Sequence, residues 1–247
     1  MKSLFFFGKT GILMIPTPEM IAENVKILRA QIAAACARAH RDENEITLIA
    51  VTKTLCAGQI RDAMAAGVRD FGENYVQELR QKQAELSDQD IRWHFIGHLQ
   101  TNKAKHVAGS VALIHTVDSV HLGKELSKHA QQSGRPVRVF VEVNTSGEKS
   151  KFGVPPGAAG DLVNSLRSLP GVSVDGLMTI GPFLPDPEQS RPAFRLLRGL
   201  KSSIEAASGT PLPHLSMGMS NDFLVAVEEG ATMVRIGTAI FGPRPKQ

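Results

Sequence analysis

Short apolar runs alternate with longer amphipathic stretches along most of this chain, and the alternation repeats eight times. The apolar runs cover residues 46–51, 68–71, 92–96, 112–117, 137–143, 174–178, 214–217 and 232–236. Helical spacing marks the segments 59–66, 76–86, 122–132, 161–169, 191–207 and 222–229 that lie between them. Buried strands whose apolar positions mostly do not alternate predict a parallel sheet covered by helices. Eight such units point to an α/β fold closed into a single (β/α)8 TIM-type barrel. Ahead of the first strand, Thr17-Pro18-Glu19 reads as a helix start, with a hydroxyl cap, proline at the first position and an acid in the first turn. Ile21, Val25, Leu28, Ile32 and Cys36 follow at helical spacing and predict an extra N-terminal helix.

No linker or low-complexity segment divides residues 18–247, which are expected to form one barrel domain. Residues 1–17 are read as an extension ahead of it. The run Leu4-Phe5-Phe6-Phe7 has the apolarity of a signal sequence, but Lys9 splits it, Gly8 and Gly11 break it, and no small-residue cleavage site follows. It is also too short to span a membrane.

Composition narrows the function classes. The net charge of +4 is mild, and Lys103, Lys105 and His106 are interrupted, so no nucleic-acid footprint is expected. Two cysteines without CxxC spacing exclude a disulfide framework and a cysteine-rich zinc site, and suit a reducing cytoplasm. Cys56 is read as a small packed filler. His94 and His98 flank a strand end rather than share a helix face, and no metal site is expected. A Rossmann or flavodoxin-like open sheet is the structural rival, but the glycine-rich turn after the first strand is absent. Along the helical segment 191–207, Arg191, Arg195, Arg198 and Lys201 are read as ordinary solvated surface.

In barrels of this type the chemistry sits where strands end. Lys53 ends the first strand, Asn74 follows the second, Gly97-His98 the third, Asp118 the fourth and Asn144 the fifth. A lysine at the pocket mouth can be desolvated to a neutral amine, the form that condenses with an aldehyde. A surface lysine snorkelling off the strand end is the competing reading. Phosphate suits the loops after strands seven and eight. There Ser216-Met217-Gly218-Met219-Ser220 enters a helix that Ser220 is expected to cap, and Gly237-Thr238 offers backbone N–H groups and a hydroxyl.

The segment Trp93-His94-Phe95-Ile96-Gly97-His98-Leu99-Gln100-Thr101-Asn102-Lys103 resembles the signature of the YggS-like pyridoxal phosphate homeostasis proteins. Segments 71–78, 215–220 and 233–242 are similar to that family's other blocks, and the resemblance runs from about residue 18 to 243. It implies a fold like the N-terminal barrel of alanine racemase, with pyridoxal 5′-phosphate (PLP) held by Lys53 as a Schiff base. It also implies Ser216, Ser220, Gly237 and Thr238 around the phosphate, Asn74 and Asn144 on the cofactor face, Arg235 near the pyridine nitrogen, and Met217 among the cofactor-binding residues. The function implied is a carrier or buffer in PLP homeostasis, with indirect effects on amino-acid metabolism and PLP-dependent apo-enzymes as recipients. No catalytic residue is implied.

A fold-type III racemase or decarboxylase of low activity is the alternative, and a Schiff-base aldolase a third reading. Barrel-type racemases add a β-rich second domain, which a chain of 247 residues is not expected to hold; a cytoplasmic monomer is expected. The only tyrosine, Tyr75, is the one candidate for a second acid or base. An arginine beside the ring nitrogen disfavours its protonation and weakens the ring as an electron sink.

Overall fold

The computed structural model describes residues 16–148 and 150–243. Of the expected N-terminal extension, residues 1–15 lie outside the described residues. The first helix, α1 (Pro18–Arg38), starts where the capping signal predicts: the Met20 N–H donates to Thr17 Oγ1 at 3.4 Å. Its buried face is Ile21, Val25, Leu28, Ile32, Ala35 and Cys36, the predicted stripe with Ala35 added.

Eight parallel strands follow and close on themselves. They are β1 (Thr47–Val51), β2 (Asp70–Glu73), β3 (Arg92–Phe95), β4 (Leu113–Val117), β5 (Val137–Glu142), β6 (Val172–Met178), β7 (His214–Ser216) and β8 (Met233–Ile236). The remaining helices are α2 (Ala57–Ala65), α3 (Val76–Glu85), α4 (Val120–Ser133), α5 (Ala159–Arg167), α6 (Arg191–Ser208), α7 (Phe223–Glu228) and α8 (Thr238–Phe241). Every predicted apolar run overlaps a strand, because a barrel wall buried on both faces leaves a continuous hydrophobic signature. The connection from β3 to β4 is a six-residue 3-10 turn, Thr101–His106, rather than an α-helix. The last helix is a single turn. It cannot cover much of the wall, and α1 packs against α2, α7 and α8 at that place. The extra helix therefore does the covering that a full eighth helix would do.

Two apolar regions result. One lies between strands and helices; the other, inside the barrel, comprises Ile49, Leu113, Phe140, Met178 and Met233. Buried polar side chains at His94, His115, Ser216 and Arg235 share that interior, which sequence periodicity alone did not reveal.

The basic face of α6 corrects an expectation. Arg191, Arg195 and Arg198 converge on the buried carboxylate of Glu229 at 2.9, 3.0 and 3.1 Å. A carboxylate out of water needs counter-charges, so these arginines fasten α6 to the end of α7 and are not merely solvated surface. Among the described residues, no helix is long and apolar enough to cross a membrane.

Because α1 stands in for a missing wall helix, Leu28→Ala should cost about 2–5 kcal/mol, the range for a buried leucine. Leu196→Ala, on an exposed part of α6, should change stability by less than about 0.5 kcal/mol. Urea unfolding of both variants checks the contrast; equal losses would mean that α1 is peripheral.

Candidate functional site

Lys53 sits two residues beyond β1 and is half-buried. Both of its neighbours are tied down by one ionic cluster. The Lys82 ammonium, on α3, donates to Thr52 O at 2.7 Å, Glu73 Oε1 at 2.7 Å and Glu78 Oε2 at 2.9 Å. Thr52 Oγ1 donates to Glu73 Oε1 at 2.6 Å, and the Thr54 N–H donates to Glu78 Oε2 at 2.7 Å. Thr54 adopts φ +65°, a left-handed conformation rarely tolerated by a β-branched residue. Strain of this kind costs about 1–3 kcal/mol and persists only where the surroundings over-determine it, as the cluster does here. Burial pushes the Glu73 carboxyl upward, with Lys82 opposing. Neither Lys82 nor Glu78 was singled out from sequence, since their i, i+4 spacing reads as a routine surface pair.

Asn74 follows β2, and its side-chain Oδ1 is buried without a hydrogen-bond partner. The turn after β3 approaches it so closely that a Cβ on Gly97 would lie 2.1 Å from Asn74 O. Only glycine allows those two loops to meet. Asn144, after β5, is differently occupied. Its Nδ2 donates to Glu148 O and Lys151 O, while its Oδ1 accepts from Ser146 Oγ and the Gly147 N–H. All four hydrogen-bonding sites of the carboxamide are spent in shaping its own loop.

At the other side of the mouth, Ser216 ends β7 with its hydroxyl wholly buried, accepting from Arg235 Nη1 at 2.6 Å. The chain then turns through Met217, which is buried, and Gly218 at φ +92°. A Cβ there would meet Ala226 Cβ at 2.6 Å, so the turn lies flat against α7. Ser220 does not cap α7 as the sequence suggested. Asp222 occupies the cap position and its Oδ1 accepts from the Met219 N–H at 2.7 Å. That turn swings Ser220 across to the next unit, where its Oγ accepts from the Ala239 N–H at 3.2 Å. Ser220 thus joins the β7 loop to Gly237 and Thr238, which open α8.

Arg235 is buried on β8, and its Nη2 donates to Thr179 O at 2.8 Å. Burial lowers its pKa to about 10, with Asp222 and Glu142 pulling the other way; the guanidinium stays cationic at neutral pH. Glu142, at the end of β5, is buried, and its Oε2 has no hydrogen-bond partner. Burial, then repulsion from Asp118, raises its carboxyl to about 7, with Arg235 opposing. His98 stacks on Phe152 with ring centroids 3.8 Å apart, linking the loops after β3 and β5. Cys56 departs from the packed-filler expectation: it is exposed and occupies the N-cap of α2.

All nine candidate residues therefore lie at or just beyond strand C-termini, at one mouth of the barrel. The arrangement combines an amine, a buried guanidinium, a hydroxyl joined to a helix start and a carboxamide oxygen lacking a partner. Such a set can hold an anion at one end and an aldehyde at the other.

The charge state of Glu142 yields a test on the ligand-free protein. Its folded pKa of about 7 exceeds the ordinary 4.5. As pH rises through that window the unfolded chain ionises first, so the term destabilises the fold progressively and levels off above 7. Glu142→Gln removes it. Relative to the parent, the variant should gain about 2–3 kcal/mol between pH 5 and pH 8, from about 1.4 kcal/mol per pKa unit. Urea unfolding at both pH values measures it, and a pH-independent difference would refute the assignment.

The family described as alanine racemase, N-terminal domain, matches residues 21–245. A protein of Aquifex aeolicus named pyridoxal phosphate homeostasis protein is 46% identical over 222 residues, covering 90% of this chain and 97% of its own length. The protein of that name from Pseudomonas aeruginosa is 43% identical, covering 91% and 96%. Among solved structures, PipY of Synechococcus elongatus with PLP bound superposes with a TM-score of 0.79 at 36% identity, over 90% of this chain and all of that one. Alanine racemase of Clostridium difficile 630 superposes at 0.70 with 13% identity, over 91% of this chain and 58% of that one, a likeness of fold.

Proposed function

This chain belongs to the pyridoxal phosphate homeostasis family, and from that premise we propose that it binds PLP through Lys53 and serves as a carrier or buffer of the cofactor. The observation that carries the reading is the half-buried Lys53 held between two clamped neighbours, at the same mouth as Arg235 and the Ser220-linked loops.

The residues present fit the group. When bound, PLP supplies an electrophilic aldehyde, a phosphate and a pyridine nitrogen. Lys53 would hold the aldehyde carbon covalently. The flat turn at Gly218 and the Ser220 bridge to α8 suit the phosphate, which Gly237 and Thr238 would meet with N–H groups and a hydroxyl. Arg235 would lie by the ring nitrogen. The partnerless Asn74 Oδ1 is a buried polar atom awaiting a ligand group. Met217 lines the turn, Asn144 would act through the loop it shapes, and Ser216 through its bond to Arg235. Residues 18–247 would thus make up the PLP-binding barrel.

The carrier reading is preferred to the racemase or decarboxylase reading on three grounds. A cationic Arg235 beside the ring nitrogen disfavours a protonated ring, and with it carbanion chemistry. Tyr75 is 52% exposed, a poor setting for the second base that a racemase needs. The family relatives also carry the name of homeostasis proteins rather than of enzymes. On this reading the partners are PLP and, downstream, the PLP-dependent apo-enzymes that require it, in the cytoplasm.

Incubated with PLP, the protein should turn yellow, and borohydride should fix one cofactor on the peptide containing Lys53. Lys53→Ala should lose both colour and adduct, read by absorbance and peptide mass. Full adduct on another lysine would sink the assignment, and rapid exchange of an amino acid's α-hydrogen would sink the carrier role.

A further inference from the structure

A chain of hydrogen bonds runs through the barrel interior from its floor to Arg235. At the floor, Arg92 grips Asp70 with two contacts, Nε to Oδ1 at 2.9 Å and Nη2 to Oδ2 at 2.6 Å. Asp70 Oδ1 lies 3.0 Å from His94 Nε2, and His94 Nδ1 lies 3.0 Å from His115 Nε2. His115 Nδ1 lies 2.9 Å from Ser216 Oγ, which also accepts from Arg235 Nη1. His94 is 3% exposed and His115 and Ser216 are 0% exposed, so water does not substitute for any link.

The Asp70 end determines the direction of the protons along the path. Arg235 can only donate, so Ser216 Oγ accepts from it; the oxygen has a second lone pair, so this end alone leaves the Ser216–His115 direction open. With a single N–H on each imidazole, His94 donates from Nε2 to Asp70, which leaves its Nδ1 to accept from His115 Nε2 and the His115 Nδ1 to accept the Ser216 proton. Asp70 as a carboxylate can only accept. Burial pushes its carboxyl upward, but the hydrogen bonds from His94 and Arg92 outweigh that and hold it low. Burial, with His94, Arg235 and His214 adding, keeps His115 well below its ordinary value and so neutral. The reverse polarity would need a protonated Asp70 under two arginine contacts.

We propose that Asp70, His94 and His115 are positioning residues that form a one-way relay, which engages the Ser216 proton, leaves the Ser216 oxygen aimed at Arg235 and so holds the guanidinium oriented toward the cofactor's ring nitrogen. The last step rests on the PLP reading above; the polarity of the relay does not. Two of the five guanidinium N–H groups are committed, to Ser216 and Thr179, and the relay keeps them so. No residue of the relay other than Ser216 and Arg235 reaches the mouth, which is why its influence runs through Arg235.

Long-range 1H–15N spectra of the ligand-free protein read the tautomers directly. His94 and His115 should each carry a proton on Nε2 and leave Nδ1 bare. A proton on either Nδ1, or an imidazolium at pH 7, overturns the relay. In the PLP-loaded protein, His115→Leu should shift the cofactor's absorption maximum and speed its release roughly tenfold, as expected for about one lost charged hydrogen bond. His115→Gln, which keeps one donor and one acceptor, should restore most of both. A leucine variant that only melts earlier, with release and absorption unchanged, overturns the positioning role. Failure to take up PLP at all would overturn the proposed function instead, and the spectra of the ligand-free protein keep the two failures apart.

Discussion

The pairing of β8 back onto β1 is the constraint on which the rest depends. Its register sets Ile49 against Arg235 and Ala50 against Ile236. The first and last strands of a long chain therefore end side by side, and Lys53 comes out of one as Gly237 and Thr238 come out of the other. An open sheet of the same units would leave them at opposite edges. Closure also removes unpaired strand edges, so the mouth can carry irregular loops without exposing ladder groups.

Most polar groups in the interior persist because they are paired along a path rather than singly, the Glu142 carboxyl being an exception. An isolated buried charge would be costly, and a pair broken on one side typically costs about 3–5 kcal/mol. Lys82 serves three acceptors and thereby sets the backbone on both sides of Lys53. The Asp70–His94–His115–Ser216 path does the equivalent beneath Arg235. Both devices reach the mouth from below, one through the wall and one through the bore. Rigid support of this sort leaves the amine and the guanidinium with little freedom to rearrange.

Much of this was legible in the chain. Apolar runs of strand length and the cap at Thr17 foretold the barrel and α1, because both signals are local. The strand-end residues were legible for the same reason: a strand's end marks the mouth once the barrel is assumed. What stayed hidden depends on contacts between distant segments. His115 lies inside an apolar run, and nothing local tells that its ring meets His94. Lys82 belongs to a helix that is polar almost throughout, and its burial follows only from where Glu73 ends β2. Ser220 sits where a cap is expected, yet its partner belongs to the following unit. A glutamate near the C-terminal end of the 137–143 run, on the same alternate positions as Arg138, was the one local sign that could have exposed Glu142.

The stacked pair of His98 and Phe152 bears on kinetics. It ties the loop after β5, already braced internally by Asn144, to the loop after β3. Phe152 is 55% exposed, so the contact is made in the presence of water. An aromatic pair of this kind is worth about 0.5–1.5 kcal/mol, which leaves a parted arrangement populated at roughly a tenth to a third of the time by that contact alone. A link this weak lets the two loops part and rejoin on their own, with the barrel itself undisturbed.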